Sequence, residues 1–187
     1  MTASYLTDLG KILTQVQCAS GAVALELADA VEQAVALVTT QTGQGRKVLF
    51  AGNGGSATIG SHQATDFLKN GGMRALALND AAMLTCLTND LGYEHVFEKQ
   101  IEMLADPGDV LIAISSSGKS ENILRAVSAG ATVGMRTITM SGFAPDNPLR
   151  QRGELAFYVP SHSYGFVEIT HLALCHCIVD TIIERRR

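Results

Sequence analysis

Residues 47–69 read KVLFAGNGGSATIGSHQATDFLK, and this stretch sets the pattern for most of the chain. Lys47–Ala51 is a short apolar run of the kind that suits a strand buried on both faces. Gly52-Asn53-Gly54-Gly55-Ser56 follows, with glycines for a sharp turn and exposed N–H groups, and then a helical pattern begins. The same texture recurs downstream. Further apolar runs are Arg74–Leu78 (RALAL), Asp109–Ile114 (DVLIAI), Arg136–Met140 (RTITM) and Leu155–Val159 (LAFYV). Helical patterns fall near 57–69, 93–104 and 119–132, and a long one closes the chain from about 165 to 185. Such alternation predicts β-α-β units with right-handed crossovers, hence a three-layer α/β sandwich around a five-stranded parallel sheet.

Upstream, the pattern is helical from Tyr5 to about Thr40. Leu6, Leu9, Ile12, Leu13 and Val16 give one apolar face, and a second helix is predicted from about Gly21 to Val38. These two leading helices, within residues 1–43, carry more apolar surface than the core of 44–187 needs. The surplus predicts contact with a partner subunit. The length of 187 residues predicts one domain. Gly142–Gly153 holds two of the four prolines and reads as a mobile surface loop.

Composition excludes several classes. Charged residues are 17% and apolar ones 47%, far from a disordered chain. A formal charge of −4 argues against nucleic acid as a partner. The basic cluster Arg185, Arg186 and Arg187 reads as a solvated helix end. MTASYLTDLG has no basic stretch leading into an apolar one, and no uninterrupted apolar run approaches the ~20 residues of a membrane span. A cytoplasmic protein is expected, with Cys18, Cys86, Cys175 and Cys177 as buried thiols.

In a parallel sheet, ligands bind outside the carboxyl ends of the strands. The turn at 52–56 is one such place. The second is Ser115-Ser116-Ser117-Gly118-Lys119-Ser120, where hydroxyls and N–H groups at a strand-to-helix junction can satisfy phosphate oxygens. Helix capping needs one serine, whereas this loop has four. Phosphate binding is therefore the reading preferred over capping alone.

Strand–GNGGS–helix followed by strand–ISSSGKS–helix resembles the sugar isomerase (SIS) domain family, within it the phosphoheptose isomerase group and its non-catalytic relatives. The resemblance covers nearly the whole chain. It implies that Ser115, Ser116, Ser117 and Ser120 bind a sugar phosphate and that Asn53, Gly54 and Ser56 line the pocket. Asn89 and Asp90, in CLTNDLGY, would contact sugar hydroxyls.

The ionisable residues concentrate on two helices. His62 and Asp66, four apart, share one face, while Glu168 and His176 are eight apart, about 80° around the axis. His171, on the same helix, reads equally as a partnered core histidine. By the resemblance, His62, Asp66, Glu168 and His176 form a set able to bind zinc. Asp66 would be the base that removes a proton beside the sugar carbonyl, His176 its acid–base partner and Glu168 the fallback base. Asp66 stands where the family has Glu, Glu168 where it has Gln, and Gly165 where it has Asp. His162 and Tyr164 nearby read as solvated loop side chains, with polar pocket residues as the alternative.

The reading is an aldose–ketose isomerase acting on a phosphorylated sugar, sedoheptulose 7-phosphate in the first instance, through an enediolate. The resemblance also implies a homotetramer. The alternative is a non-catalytic sugar-phosphate-binding or replication-initiator-associating protein of the same fold. Retention of the histidine and carboxylate positions favours the enzyme.

Overall fold

In the computed structural model, which describes residues 2–186, strands and helices alternate along most of the chain. Helix α1 (Thr2–Thr14) leads into a hairpin of β1 (Gln17–Ser20) and β2 (Val23–Leu25), then α2 (Leu27–Gly43). There follow β3 (Val48–Gly52), α3 (Gly55–Lys69), β4 (Ala75–Ala77), α4 (Ala81–Leu91), a 3-10 turn (Tyr93–His95) and α5 (Val96–Leu104). The last elements are β5 (Val110–Ser115), α6 (Glu121–Val133), β6 (Arg136–Ser141), β7 (Leu155–Tyr158) and α7 (Tyr164–Arg185).

The sheet has seven strands in the order β2-β1-β7-β6-β5-β3-β4. All five apolar runs are strands and pair in parallel with one another. The expected five-stranded sheet is nevertheless incomplete, because β1 pairs antiparallel with both β2 and β7. The helical pattern expected from Tyr5 to about Thr40, with its second helix from about Gly21, is broken at residues 17–25. They instead turn at Gly21 and satisfy their backbone groups on the open edge of β7, so α2 starts only at Leu27. Helix α4 is also additional; its N-terminus is capped by the Asp80 carboxylate, which accepts from the Met83 N–H at 2.9 Å.

Side-chain alternation along the buried strands builds two cores. Val48, Phe50, Val110, Ile112 and Ile138 face α2, α3 and α7, with Phe67, Val167, Leu174 and Ile178. Leu49, Ala51, Leu111 and Ala113 face α4, α5 and α6, with Phe97, Ile101, Ile123 and Val127. α7 has the length and hydropathy of a membrane span, but it packs one face against this core, as a buried helix does. Packing bears on three further expectations. Leu149 and Asn147 of the 142–153 loop are fully buried, with the Asn147 amide bonded to Ser141, Gly142 and Ala144, so this loop is anchored. Arg185 makes a two-pronged pair with Glu32, and Arg186 donates to the Gly71 carbonyl; Arg187 lies outside the described residues. Only Cys18 and Cys175 are buried, while Cys86 on α4 and Cys177 on α7 are exposed.

At the amino end of the sheet, Asp109 is fully buried yet fully used. Its carboxylate accepts from the Lys47 N–H at 2.7 Å and the Asp106 N–H at 2.8 Å, and pairs with the Lys47 ammonium at 2.8 Å. It thereby ties the start of β3 to the start of β5. Asp109→Ala would leave both N–H groups without a partner and the Lys47 ammonium with Asp106 alone, so a loss of about 2 kcal/mol or more is expected in urea unfolding. A change below about 1 kcal/mol would mean that this cluster does not hold the strand starts together.

Candidate active site

β3 is the branch point of the parallel array, because the chain moves from it to β4 on one side and returns to β5 on the other. The loops after β3 and β5 therefore leave adjacent strands at a topological switch point, where a crevice opens. That crevice is lined by Asn53, Gly54, Gly55, Ser56, Ser115, Ser116, Ser117, Ser120, Tyr164 and Glu168. The residues expected from the two loops thus meet in one place.

The serine loop is held open toward this space. Ser120 occupies the N-cap position of α6, yet its side chain makes no capping bond. Its Oγ lies 3.3 Å from Ser115 Oγ instead. Ser115 Oγ also accepts from the Gly118 N–H, and Ser117 Oγ from the Lys119 N–H, each at 3.2 Å. Gly118 is needed here twice over: its φ is +63°, and a Cβ on it would meet Asn147 Oδ1 at 1.9 Å. The anchored 142–153 loop is what presses on the serine loop at this point, and the Leu149 N–H donates to the Gly118 carbonyl.

Asn53 is held by reciprocal amide bonds with the buried Asn122 of α6, at 2.9 and 3.0 Å, and by the Tyr93 hydroxyl at 2.7 Å. Neither Asn122 nor Tyr93 was expected. Asn122 lies two residues beyond Ser120 in SGKSEN, a position that the loop motif could have drawn in; no local pattern points to Tyr93. Tyr164 lines the crevice rather than being a merely solvated loop residue, and Phe143 packs edge-on against it at 4.8 Å. His162 stacks on Phe143 as well. Asn89 and Asp90 do not line the crevice. They stand on the exposed last turn of α4, where the Asn89 amide donates to Asp90 at 2.8 Å. The segment read as a turn is helical there, which carries both side chains outward.

The ionisable residues form a second group. His62 Nε2 lies 3.1 Å and His176 Nδ1 3.8 Å from the same Asp66 oxygen, and the two imidazole rings are 5.2 Å apart. One ligand atom from each of the three falls within 4.8 Å of the others. Two imidazole nitrogens and one carboxylate oxygen suit a divalent metal whose remaining position stays open. Glu168 is not in this cluster. Its carboxylate lies over Gly55, so close that a Cβ there would meet Oε1 at 2.5 Å. Gly55 is the first residue of α3, whose N-terminal partial charge favours an anion. From there Glu168 borders the serine crevice on one side and, with Thr58 and His62, an adjoining hollow on the other.

Comparison with known proteins agrees with this geometry. A family model described as the SIS domain matches residues 12–142. The chain belongs to the SIS-domain family. A phosphoheptose isomerase of Thiobacillus denitrificans is similar to this SIS domain, at 38% identity over 164 residues and 83% of each chain. One from Akkermansia muciniphila is 34% identical, covering 85% of this chain and 86% of its own. The structure of a phosphoheptose isomerase from Neisseria gonorrhoeae superposes with a TM-score of 0.84 at 29% identity, covering 98% of this chain and 97% of that one.

His171 has the core role. It is fully buried, and its Nε2–H donates to the Ser141 carbonyl at 3.1 Å. Burial pushes its pKa down to about 4 from 6.5, against the opposing pull of that backbone bond. The folded chain thus keeps this imidazole neutral where the unfolded chain protonates it, so the stability it contributes is present above pH 6.5 and lost as pH falls toward 4. On cooling-free urea titration at about pH 7 and about pH 4.5, the native chain should lose about 2 to 3 kcal/mol more than His171→Gln. An equal loss in both proteins would show that His171 does not carry this pH dependence.

Proposed function

We propose that this SIS domain is a cytoplasmic aldose–ketose isomerase that interconverts sedoheptulose 7-phosphate and an aldoheptose 7-phosphate. The observation that carries the reading is continuity. The serine crevice, of about 230 Å³, and the hollow beside His62, of about 310 Å³, share Gly55 and Glu168 as a common border. An anion at the serine loop and a reacting group near His62 can therefore belong to one extended ligand.

An open-chain heptose 7-phosphate spans roughly 10 Å from phosphorus to C1 at ordinary bond lengths. With the phosphate held by Ser115, Ser116, Ser117, Ser120 and the first N–H groups of α6, the carbonyl end would reach toward Asp66 and His176. Asn53, Gly54, Ser56 and Glu168 would then face the middle of the chain.

Isomerisation removes a proton from C1, beside the C2 carbonyl, and returns one to C2, while a hydroxyl proton leaves O1 and another joins O2. Asp66 is the proposed base at carbon. Its second oxygen accepts from the Asn70 amide at 3.0 Å, which fixes the carboxylate plane. His176 is the proposed carrier between O1 and O2, work suited to an imidazole near neutral pH. His62, Asp66 and His176 would also hold the metal, which we propose to be zinc, with Glu168 outside the set. When bound, zinc would polarise the carbonyl and hydroxyl oxygens. The three-residue cluster favours the enzyme over the binding-only alternative, which has no use for it. The apolar hollow between α1, α2 and α7, lined by Leu13, Val31, Leu174 and Cys177, supports assembly with further copies.

Incubation with sedoheptulose 7-phosphate, with and without added zinc, should yield an aldoheptose phosphate. Asp66→Asn should reduce turnover by at least about a hundredfold, the usual contribution of a positioned base, with the ligand still bound. Ser117→Ala with Ser120→Ala should weaken binding by more than about tenfold, as expected for bonds to a charged group. Near-normal turnover in Asp66→Asn would move the base to Glu168. No product with any ketose phosphate would overturn the isomerase.

A further inference from the structure

The amide of Asn53 has a counted set of partners. Oδ1 accepts from Asn122 Nδ2 at 3.0 Å and from the Tyr93 hydroxyl at 2.7 Å, which uses both lone pairs. Nδ2 gives one hydrogen to Asn122 Oδ1 at 2.9 Å. One N–H is left, on an asparagine that borders the serine crevice. Asn122 is buried, at 4% exposure, in the first turn of α6, so it is a fixed member of the pair. Tyr93 is different. It lies 40 residues away in sequence, is 48% exposed, and reaches Asn53 only because the chain turns at Gly92 with φ of +91° after α4.

A reciprocal amide pair alone permits both side chains to flip together and keep the same two bonds. The Tyr93 hydroxyl, donating to Oδ1, adds a third bond that fixes the Asn53 amide in place at the border of the crevice, with one N–H unused. It also polarises the amide and strengthens the remaining N–H.

We propose that Tyr93 is a positioning residue: it acts through Asn53 to present a single N–H donor to an oxygen of the bound sugar phosphate. The inference rests on the proposed function for the ligand and adds to it a residue on a separate element. It also gives the α4–α5 connection a role in the site. The connection contributes through the Tyr93 hydroxyl.

Asn53 lines the serine crevice and not the hollow beside His62, so its bond belongs to ground state and transition state alike. Loss of such uniform binding raises KM and leaves kcat unchanged. The test is a double-mutant cycle of Tyr93→Phe and Asn53→Ala, read as KM and kcat for sedoheptulose 7-phosphate and as its affinity by calorimetry. Tyr93→Phe keeps the ring and removes only the hydroxyl. It should raise KM and Kd roughly two- to tenfold, the range of one ordinary hydrogen bond, with kcat and the thermal midpoint unchanged. In the Asn53→Ala background the same change should have no effect. Equal effects in both backgrounds would overturn the proposal, as would an unchanged KM. A lowered thermal midpoint accompanying the loss would assign Tyr93 a structural role and overturn it too. A native protein that binds the sugar phosphate without isomerising it overturns the reaction alone, and the affinity cycle still decides Tyr93. A native protein that does not bind it overturns both.

Discussion

Strands buried on both faces leave polar groups few places to go. The central strands face apolar helices above and below, so polar chemistry is confined to their ends. At the amino end the answer is structural: Asp109 and Lys47 satisfy one another and the nearby N–H groups. At the carboxyl end the polar groups are left facing a crevice. The branch at β3 separates the loops after β3 and β5 enough to admit a ligand between them.

Each part of the crevice is fixed by something outside it. The buried 142–153 loop sets the serine loop through the close approach of Asn147 to Gly118. α6 holds Asn53 through Asn122. α7 brings Glu168 onto the start of α3 at Gly55, which has no side chain to obstruct it. The same helix, two turns on, delivers His176 to His62 and Asp66. The serine-loop end and the ionisable end are thus set apart along one helix.

Much of this was legible in the sequence. Apolar runs with few charges gave all five parallel strands, and the two loops gave the residues at the switch point. The i, i+4 spacing of His62 and Asp66 placed both on one face. What escaped depends on tertiary context. Residues 17–25 carry apolar positions that fit a helix or a strand, and the open edge of β7 decided between them. Asn89 and Asp90 sit in a dipeptide that commonly turns, but here α4 continues through them. The 142–153 loop has a mobile loop's composition, and only its contact with Gly118 shows why Asn147 is buried. Eight residues of helix separate Glu168 from His176. That rise, already readable from spacing, is why the four-residue metal set resolves into a cluster of three with Glu168 beside it.

The central claim is that one ligand spans from the serine loop to Asp66 and His176, and chain length tests it most directly. Specificity constants for open-chain ketose phosphates of five, six and seven carbons, measured under one set of conditions, should rise to a maximum at seven. The five-carbon substrate should fall by at least about a hundredfold, since its carbonyl would stop short by two bonds and even a 1 Å misplacement has that effect. Equal specificity constants across the series would contradict a reacting centre placed at the far end of this groove.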